Sequence, residues 1–118
     1  MKTREEFLRG IRAKVLKQYA DEIMKIISDA IEHGEEEYMN TGKIMYSTEE
    51  PTNRLHERIE KYGLESLSSR IYYDMEGEVG YIICPKLEEM GWEHKSELAY
   101  DEDGKITGSH NWSVRPAQ

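Results

Sequence analysis

The first third of the chain has apolar residues at the spacing of an amphipathic helix. From Leu16 to Ile31 they recur three and four residues apart, and lysine and aspartate residues occupy the opposite face. Thr3 and Glu6 form a capping box at the start. Gly34 follows the end, where glycine commonly adopts a left-handed conformation. We therefore predict one long helix from Thr3 to Gly34.

The apolar face on the first turns of this helix is rotated around the axis from the face of the later turns. Its members are Phe7, Leu8, Ile11 and Val15. We expect the later face to pack on the rest of the chain. The first face is flanked by arginines, and it is the predicted contact for a second copy, so a homodimer through this helix is one hypothesis. The arginines are Arg4, Arg9 and Arg12.

A second, shorter helix is predicted over residues 51–62. Leu55, Ile59 and Tyr62 are spaced four and three residues apart, which gives a narrow apolar seam. Gly63 ends the helix. The preceding segment, residues 43–46, is read as a short strand or a packed loop.

Two hairpins are predicted in the second half of the chain. Residues 69–75 and 78–84 flank Glu76-Gly77, a two-residue turn that fits a hairpin and would pair Tyr72 with Tyr81 across the strands. The run from Val79 to Cys84 is nearly all apolar, which is typical of a central buried strand.

The other hairpin is predicted from Trp92–Tyr100 and Lys105–Val114, which flank an Asp-Gly turn. Between the two hairpins, residues 85–91 are read as a brief helix, with a loose tail over residues 115–118. The predicted fold class is therefore α+β, with the long N-terminal helix and the shorter helix packed on an antiparallel sheet of about four strands. The length of 118 residues predicts a single domain over residues 1–118.

Composition narrows the function classes. The net charge is −8, although residues 1–20 carry an excess of basic side chains, and this acidity argues against direct binding of DNA or RNA. The single cysteine, Cys84, fits a reducing compartment. The sequence has no apolar run of transmembrane length and no signal-peptide pattern, so we expect a cytoplasmic protein without a membrane partner.

Acidic residues form three clusters that are candidates for binding a partner. The first is expected to lie in an exposed loop after the long helix. One interpretation is a solvated surface, and the other is a negative patch that steers the protein onto a basic partner. The residues are Glu35, Glu36, Glu37, Glu49, Glu50, Asp101, Glu102 and Asp103.

The sequence contains no catalytic or metal-binding motif. The four histidines and Cys84 lack the spacings of zinc ligands, and no nucleophile is followed by a recognisable base. We therefore predict no catalytic residue, no cofactor and no metal. A pocket lined by aromatic and histidine side chains stays open as an alternative. Its predicted residues are Tyr72, Tyr81, His94, His110 and Trp112.

These observations favour binding over catalysis. The leading hypothesis is a regulatory protein that inhibits or modulates a macromolecular partner with a basic surface. In its sharpest form, the partner is a nucleic-acid-handling enzyme, and the carboxylates enter its basic groove in place of phosphates. Accessory proteins of phages and mobile elements have this size and style. The alternative is a small-molecule or nucleotide-binding domain, with or without enzymatic activity, that uses the aromatic pocket.

Overall fold

The backbone of residues 1–118 forms four α-helices and a three-stranded antiparallel sheet, which confirms the predicted α+β class. This computed structural model describes that backbone together with the side chains of residues 1–96, 101–105 and 112–118. The elements in chain order are α1 (Arg4–Glu32), α2 (Glu35–Thr41), β1 (Ile44–Tyr46), α3 (Glu49–Lys61), a short 3₁₀ helix (Leu64–Leu67), α4 (Ile71–Glu89), β2 (Trp92–Tyr100) and β3 (Ile106–Pro116).

Helix α1 confirms the predicted long helix, but its end differs from the expectation. At the start, the backbone N–H of Glu6 donates to the Thr3 hydroxyl at 3.1 Å. At the end, Gly34 has φ of −102° and is not left-handed. Glycine is needed there for space, because a Cβ would lie 2.6 Å from the carbonyl oxygen of Ala30 and 2.8 Å from a methyl group of Ile44.

The predicted hairpin over residues 69–84 is wrong, because residues 71–84 belong to helix α4. Tyr72 and Tyr81 therefore do not pair across strands, and the run from Val79 to Cys84 is not a central strand. Of the brief helix predicted over residues 85–91, residues 85–89 form the last part of α4, which contains Pro85. The sheet accordingly has three strands in the described backbone where about four were expected.

Burial explains why α4 is a helix. Five of its apolar side chains recur every four residues, and all five are buried. That spacing places them along one side of a helix. Strands would instead put them on the same face as Tyr73 and Gly77, which are both exposed. The stripe consists of Ile71, Met75, Val79, Ile83 and Leu87.

The sheet has the order β1–β3–β2 with both pairs antiparallel. The predicted C-terminal hairpin is confirmed, with Gly104 at φ of +77° in its turn. β3 continues to Pro116, and the backbone N–H of Ala117 donates to the carbonyl oxygen of Gly91 at 2.8 Å. The predicted loose tail is therefore partly wrong, since its first half is strand.

Packing divides the chain into two compact units, and the division falls inside both long helices. The helical unit comprises Met1–Met24 and Glu49–Ile83. Its buried side chains come from α1, α3, the 3₁₀ helix and α4, and ion pairs join the three α-helices. The buried residues are Val15, Tyr19, Ala20, Ile23, Pro51, Leu55, Ile59, Leu64, Ile71, Met75, Val79 and Ile83.

The sheet unit comprises Lys25–Thr48 and Cys84–Gln118. It contains the end of α1, all of α2, the three strands and the end of α4. Its buried apolar side chains in the described part are Ile27, Ile44, Leu87 and Val114. The single domain over residues 1–118 stays a prediction.

Candidate functional site

The first acidic cluster lies on helix α2, so the predicted exposed loop is wrong. Glu35, Glu36 and Glu37 form the first turn of α2, where negative charge is favoured by the helix dipole. Glu35 and Glu36 are exposed. Glu37 contributes to the fold, because its Oε2 accepts a hydrogen bond from the backbone N–H of Met45 at 2.9 Å.

The third acidic cluster forms the turn of the C-terminal hairpin. Asp101 Oδ1 accepts hydrogen bonds from the backbone N–H groups of Asp103 and Lys105, each at 2.9 Å. This arrangement is an Asx turn, which stabilises the tip of the hairpin. The side chains of Glu102 and Asp103 are exposed.

The second cluster belongs to the helical unit. Glu49 and Glu50 are exposed in the first turn of α3, where their negative charges also interact favourably with the helix dipole. The structure thus separates the eight predicted acids by role. In the two clusters of the sheet unit, four exposed carboxylates make no salt bridge within the described part of the chain and serve no hydrogen bond of the fold there. They are Glu35, Glu36, Glu102 and Asp103.

A second candidate site is centred on His94 in strand β2. Its imidazole stacks on Trp112, with ring centroids 5.2 Å apart and planes at 10°, and on Tyr46, at 5.8 Å and 27°. Nε2 shares a hydrogen bond with the Tyr46 hydroxyl. Nδ1 lies 3.6 Å from Sγ of Cys84, which is within hydrogen-bond distance for sulfur. β1, β2, β3 and α4 therefore each supply one side chain.

Burial sets the protonation of this cluster. It lowers the pKa of His94 below its ordinary value, and it raises the pKa of the Cys84 thiol, as does the nearby Glu88 carboxylate. Both shifts favour a neutral imidazole and a neutral thiol at pH 7. A cysteine nucleophile needs the opposite, a thiolate beside an imidazolium. Both pKa shifts therefore oppose a thiolate–imidazolium pair at this position.

A cavity of about 380 Å³ opens beside this cluster, entirely within the sheet unit. The guanidinium of Arg115 and the carboxylate of Glu93 form an exposed ion pair at 2.8 Å at its edge. Hydrogen bonding with Arg115 lowers the pKa of Glu93. The lining residues are Cys84, Glu88, Trp92, Glu93, His94, Arg115, Ala117 and Gln118.

The structure brings together only part of the predicted aromatic pocket. His94 and Trp112 are in contact. Tyr72 lies on α4 in the helical unit, where its ring meets that of His56 edge-on at 4.9 Å. Tyr81 is also on α4, and its side chain is 84% exposed. His110 is paired with Leu98 in the backbone register, and its side chain lies outside the described residues.

Sequence reasoning missed Tyr46 and the pair of Glu93 with Arg115. The register of the sheet creates both contacts, because β3 pairs Tyr46 with Trp112 and Glu93 with Arg115. The predicted hairpin did not give the second contact. With Tyr100 opposite Ile106, an unshifted register would place Glu93 opposite Ser113, and the register shift between Leu98 and Tyr100 brings Glu93 opposite Arg115. Tyr46 had no local signal either.

Within the described residues, no three histidine, cysteine, aspartate or glutamate side chains are grouped as metal ligands. The same part of the chain contains no helix with the length and apolar character that a membrane span requires.

Comparison with known proteins adds no relative. No family model matches the chain, and neither the curated proteins nor the solved structures contain a significant match.

Proposed function

We propose that this protein binds a macromolecular partner with a basic surface and modulates that partner's activity. Four exposed carboxylates of the sheet unit that the described fold does not use support this proposal: Glu35, Glu36, Glu102 and Asp103. Exposed charges of one sign attract an oppositely charged partner and speed association. In its sharpest form, the partner is a nucleic-acid-handling enzyme, and the carboxylates occupy positions that phosphates otherwise take. The free thiol of Cys84 fits the cytosolic location proposed with it.

Direct nucleic-acid binding is the rival for a chain with this order of helices. α3, the 3₁₀ helix and α4 follow one another as in a helix–turn–helix, whose second helix enters the DNA major groove. The exposed face of α4 in the helical unit instead presents Tyr73, Asp74 and Tyr81. Such a face lacks the cations that neutralise phosphates, and the chain carries a net charge of −8. These charges favour a protein partner.

A four-site variant tests the proposal: Glu35→Gln, Glu36→Gln, Glu102→Gln and Asp103→Asn. The protein would be immobilised and exposed to a cell extract enriched for heparin-binding proteins. We expect the wild type to retain a partner that double-stranded DNA displaces. The variant should bind that partner at least tenfold more weakly, a change of about 1.4 kcal/mol.

The matched control removes four exposed acids elsewhere, by Asp21→Asn, Asp29→Asn, Glu57→Gln and Glu89→Gln. Both variants have the same net charge, so only the position of the acids differs. Equal weakening in the two variants would show that general acidity, not these clusters, governs binding. Retention of double-stranded DNA by the wild type at physiological salt would favour the rival function.

A small-molecule site is the second candidate, and the cavity beside His94 favours it. Its lining combines an aromatic ring, Trp92, with the charged pair of Glu93 and Arg115, a mixture common in ligand pockets. A panel of nucleotides can be titrated while the indole N–H resonance of Trp92 is followed. A saturable shift that Arg115→Gln abolishes would support this candidate. Unchanged resonances across the panel would remove nucleotides as its ligands.

A further inference from the structure

The helical unit has an apolar groove with basic residues at its edge. The groove has a volume of about 670 Å³ and lies between the first turns of α1 and the end of α3. Phe7 is 56% exposed in it, and Tyr62 is also exposed. Exposed apolar surface with a polar border is typical of an interaction site. The lining residues are Met1, Lys2, Thr3, Arg4, Phe7, Leu8, Tyr62 and Gly63.

The charged side chains that line this groove are both cationic. They are Lys2 and Arg4, and Nη2 of Arg4 donates to the Ser66 hydroxyl at 2.6 Å, which holds the guanidinium in place. The amine of Lys61 lies 5.7 Å from the centre of the Tyr62 ring. The groove therefore suits an apolar side chain that is accompanied by carboxylates.

Helix α2 in the sheet unit presents that combination. Met39 is 84% exposed, and Tyr38 beside it is exposed as well. Glu35 and Glu36 precede Met39 by four and three residues, so they lie on the same side of the helix. A flexible methionine side chain adapts to irregular apolar surfaces. The two carboxylates beside it would meet the cations of the groove.

We propose that two copies of this protein associate by placing helix α2 of one copy in the Phe7–Tyr62 groove of the other. The contact joins two different surfaces and is therefore heterologous, and heterologous contacts produce rings or chains. A helix of seven residues buries little area, and the association is therefore weak and concentration-dependent. The inference rests on the proposed function in one respect, because Glu35 and Glu36 are two of the four carboxylates proposed to bind the basic partner.

Sedimentation at increasing concentration tests the contact with two variants. Phe7→Glu places a carboxylate in the groove, and Met39→Lys places a cation on α2. We expect each to raise the dissociation constant of self-association at least tenfold. The matched controls, Tyr73→Glu and Met90→Lys, alter side chains that are 73% and 70% exposed elsewhere, and they should change it less than about twofold.

A mixing experiment distinguishes this contact from a symmetric one. Chains with Phe7→Glu retain a normal α2, and chains with Met39→Lys retain a normal groove. An equal mixture should therefore form a one-to-one complex that grows no further, although each variant alone is monomeric. Circular dichroism would verify that both variants are folded.

Three results would overturn the inference. They are a wild type that stays monomeric at millimolar concentration, self-association that Met39→Lys leaves intact, and a mixture that does not form the one-to-one complex. The hairpin variant Glu102→Gln with Asp103→Asn should leave self-association unchanged. Loss of self-association with retained, charge-dependent binding of a basic partner would contradict this inference but leave the proposed function intact.

Discussion

Different kinds of contact stabilise the interior of the helical unit and the interior of the sheet unit. In the helical unit, aliphatic side chains from three helices are buried at four-residue spacing, and ion pairs such as Arg12 with Glu78 join the helices at the surface. In the sheet unit, few apolar side chains are buried in the described part. Its characteristic contacts are the stacked rings of Tyr46, His94 and Trp112 and the close approach of Ile44 to the backbone at Gly34.

This difference teaches which kinds of substitution each unit tolerates. Removal of side-chain volume should be most damaging in the helical unit, because a cavity in a close-packed interior forfeits both burial and dispersion contacts. The sheet unit should be most sensitive to added atoms, and its stability should also respond to protonation of a stacked ring. Four substitutions test this contrast, from the largest expected effect to the smallest.

Met75→Ala should have the largest effect, because Met75 is fully buried in the stripe of α4. Such truncations cost about 2–5 kcal/mol, and we expect a loss near 3 kcal/mol in the free energy of unfolding, measured in urea. Tyr73→Ala, two residues away on the exposed face, should cost less than about 0.5 kcal/mol. Similar losses at the two positions would mean that α4 does not bury this stripe.

Gly34→Ala should destabilise the sheet unit by about 2 kcal/mol, because the added methyl group overlaps a backbone oxygen. The control is Gly77→Ala in α4, where a Cβ meets nothing within 4 Å. At that position alanine should stabilise the helix by up to about 1 kcal/mol. Thermal unfolding of the two variants should therefore shift in opposite directions. A neutral Gly34→Ala would contradict the close approach.

Glu22→Gln tests the ion pairs of the helical unit. Burial alone would raise the pKa of Glu22, but hydrogen bonds from Arg54 and Arg58, at 2.8 and 2.7 Å, outweigh it and lower the pKa. We expect a loss of about 1 kcal/mol near neutral pH. Since the folded pKa is depressed, the stabilisation is present above the unfolded pKa of about 4.3 and lost as pH falls through the folded value.

The test of Glu22 is therefore a comparison of acid unfolding curves. The wild type should lose stability more steeply than Glu22→Gln as the pH falls below about 4.3. Asp21→Asn, an exposed neighbour on α1, should leave the wild-type slope unchanged. Parallel curves for wild type and Glu22→Gln would show that the pair contributes nothing.

The smallest effect should come from titration of His94. Its pKa is lowered by burial in the folded state, so protons bind the unfolded chain more readily. Stability should therefore decrease as the pH falls below about 6.5, the ordinary value for histidine. His94→Phe keeps a ring for stacking but cannot titrate, so this decrease should be smaller in the variant. His33→Gln, at an exposed position, should retain it.

Much of the fold could be predicted because the signals were local. The capping box of Thr3 and Glu6, the apolar seam of α3 with Gly63 behind it, and the Asp-Gly turn of the last hairpin each act within a few residues. Local hydrogen bonding and backbone preference are sufficient at such places. The corresponding elements are α1, α3, β2 and β3.

Helix α4 could not be predicted in this way, because its local preferences favour the wrong structure. Tyr72, Tyr73 and Val79 favour strands, and Gly77 and Gly80 weaken a helix and resemble turn residues. The four-residue stripe from Ile71 to Leu87 was present in the sequence, but its meaning depended on burial. Tertiary packing commonly overrides a weak local preference.

The candidate sites depend on long-range contacts to an even greater extent. The acidity of the three clusters follows from residue type, and the sequence was sufficient to identify them. The stack around His94 could not be predicted from the sequence, because Tyr46 and His94 are 48 residues apart and meet through the β1–β3–β2 pairing. The close approach at Gly34 likewise requires Ile44 to be in place. Caps and turns depend on chain neighbours, whereas burial, stacking and pKa shifts depend on side chains that only the folded chain brings together.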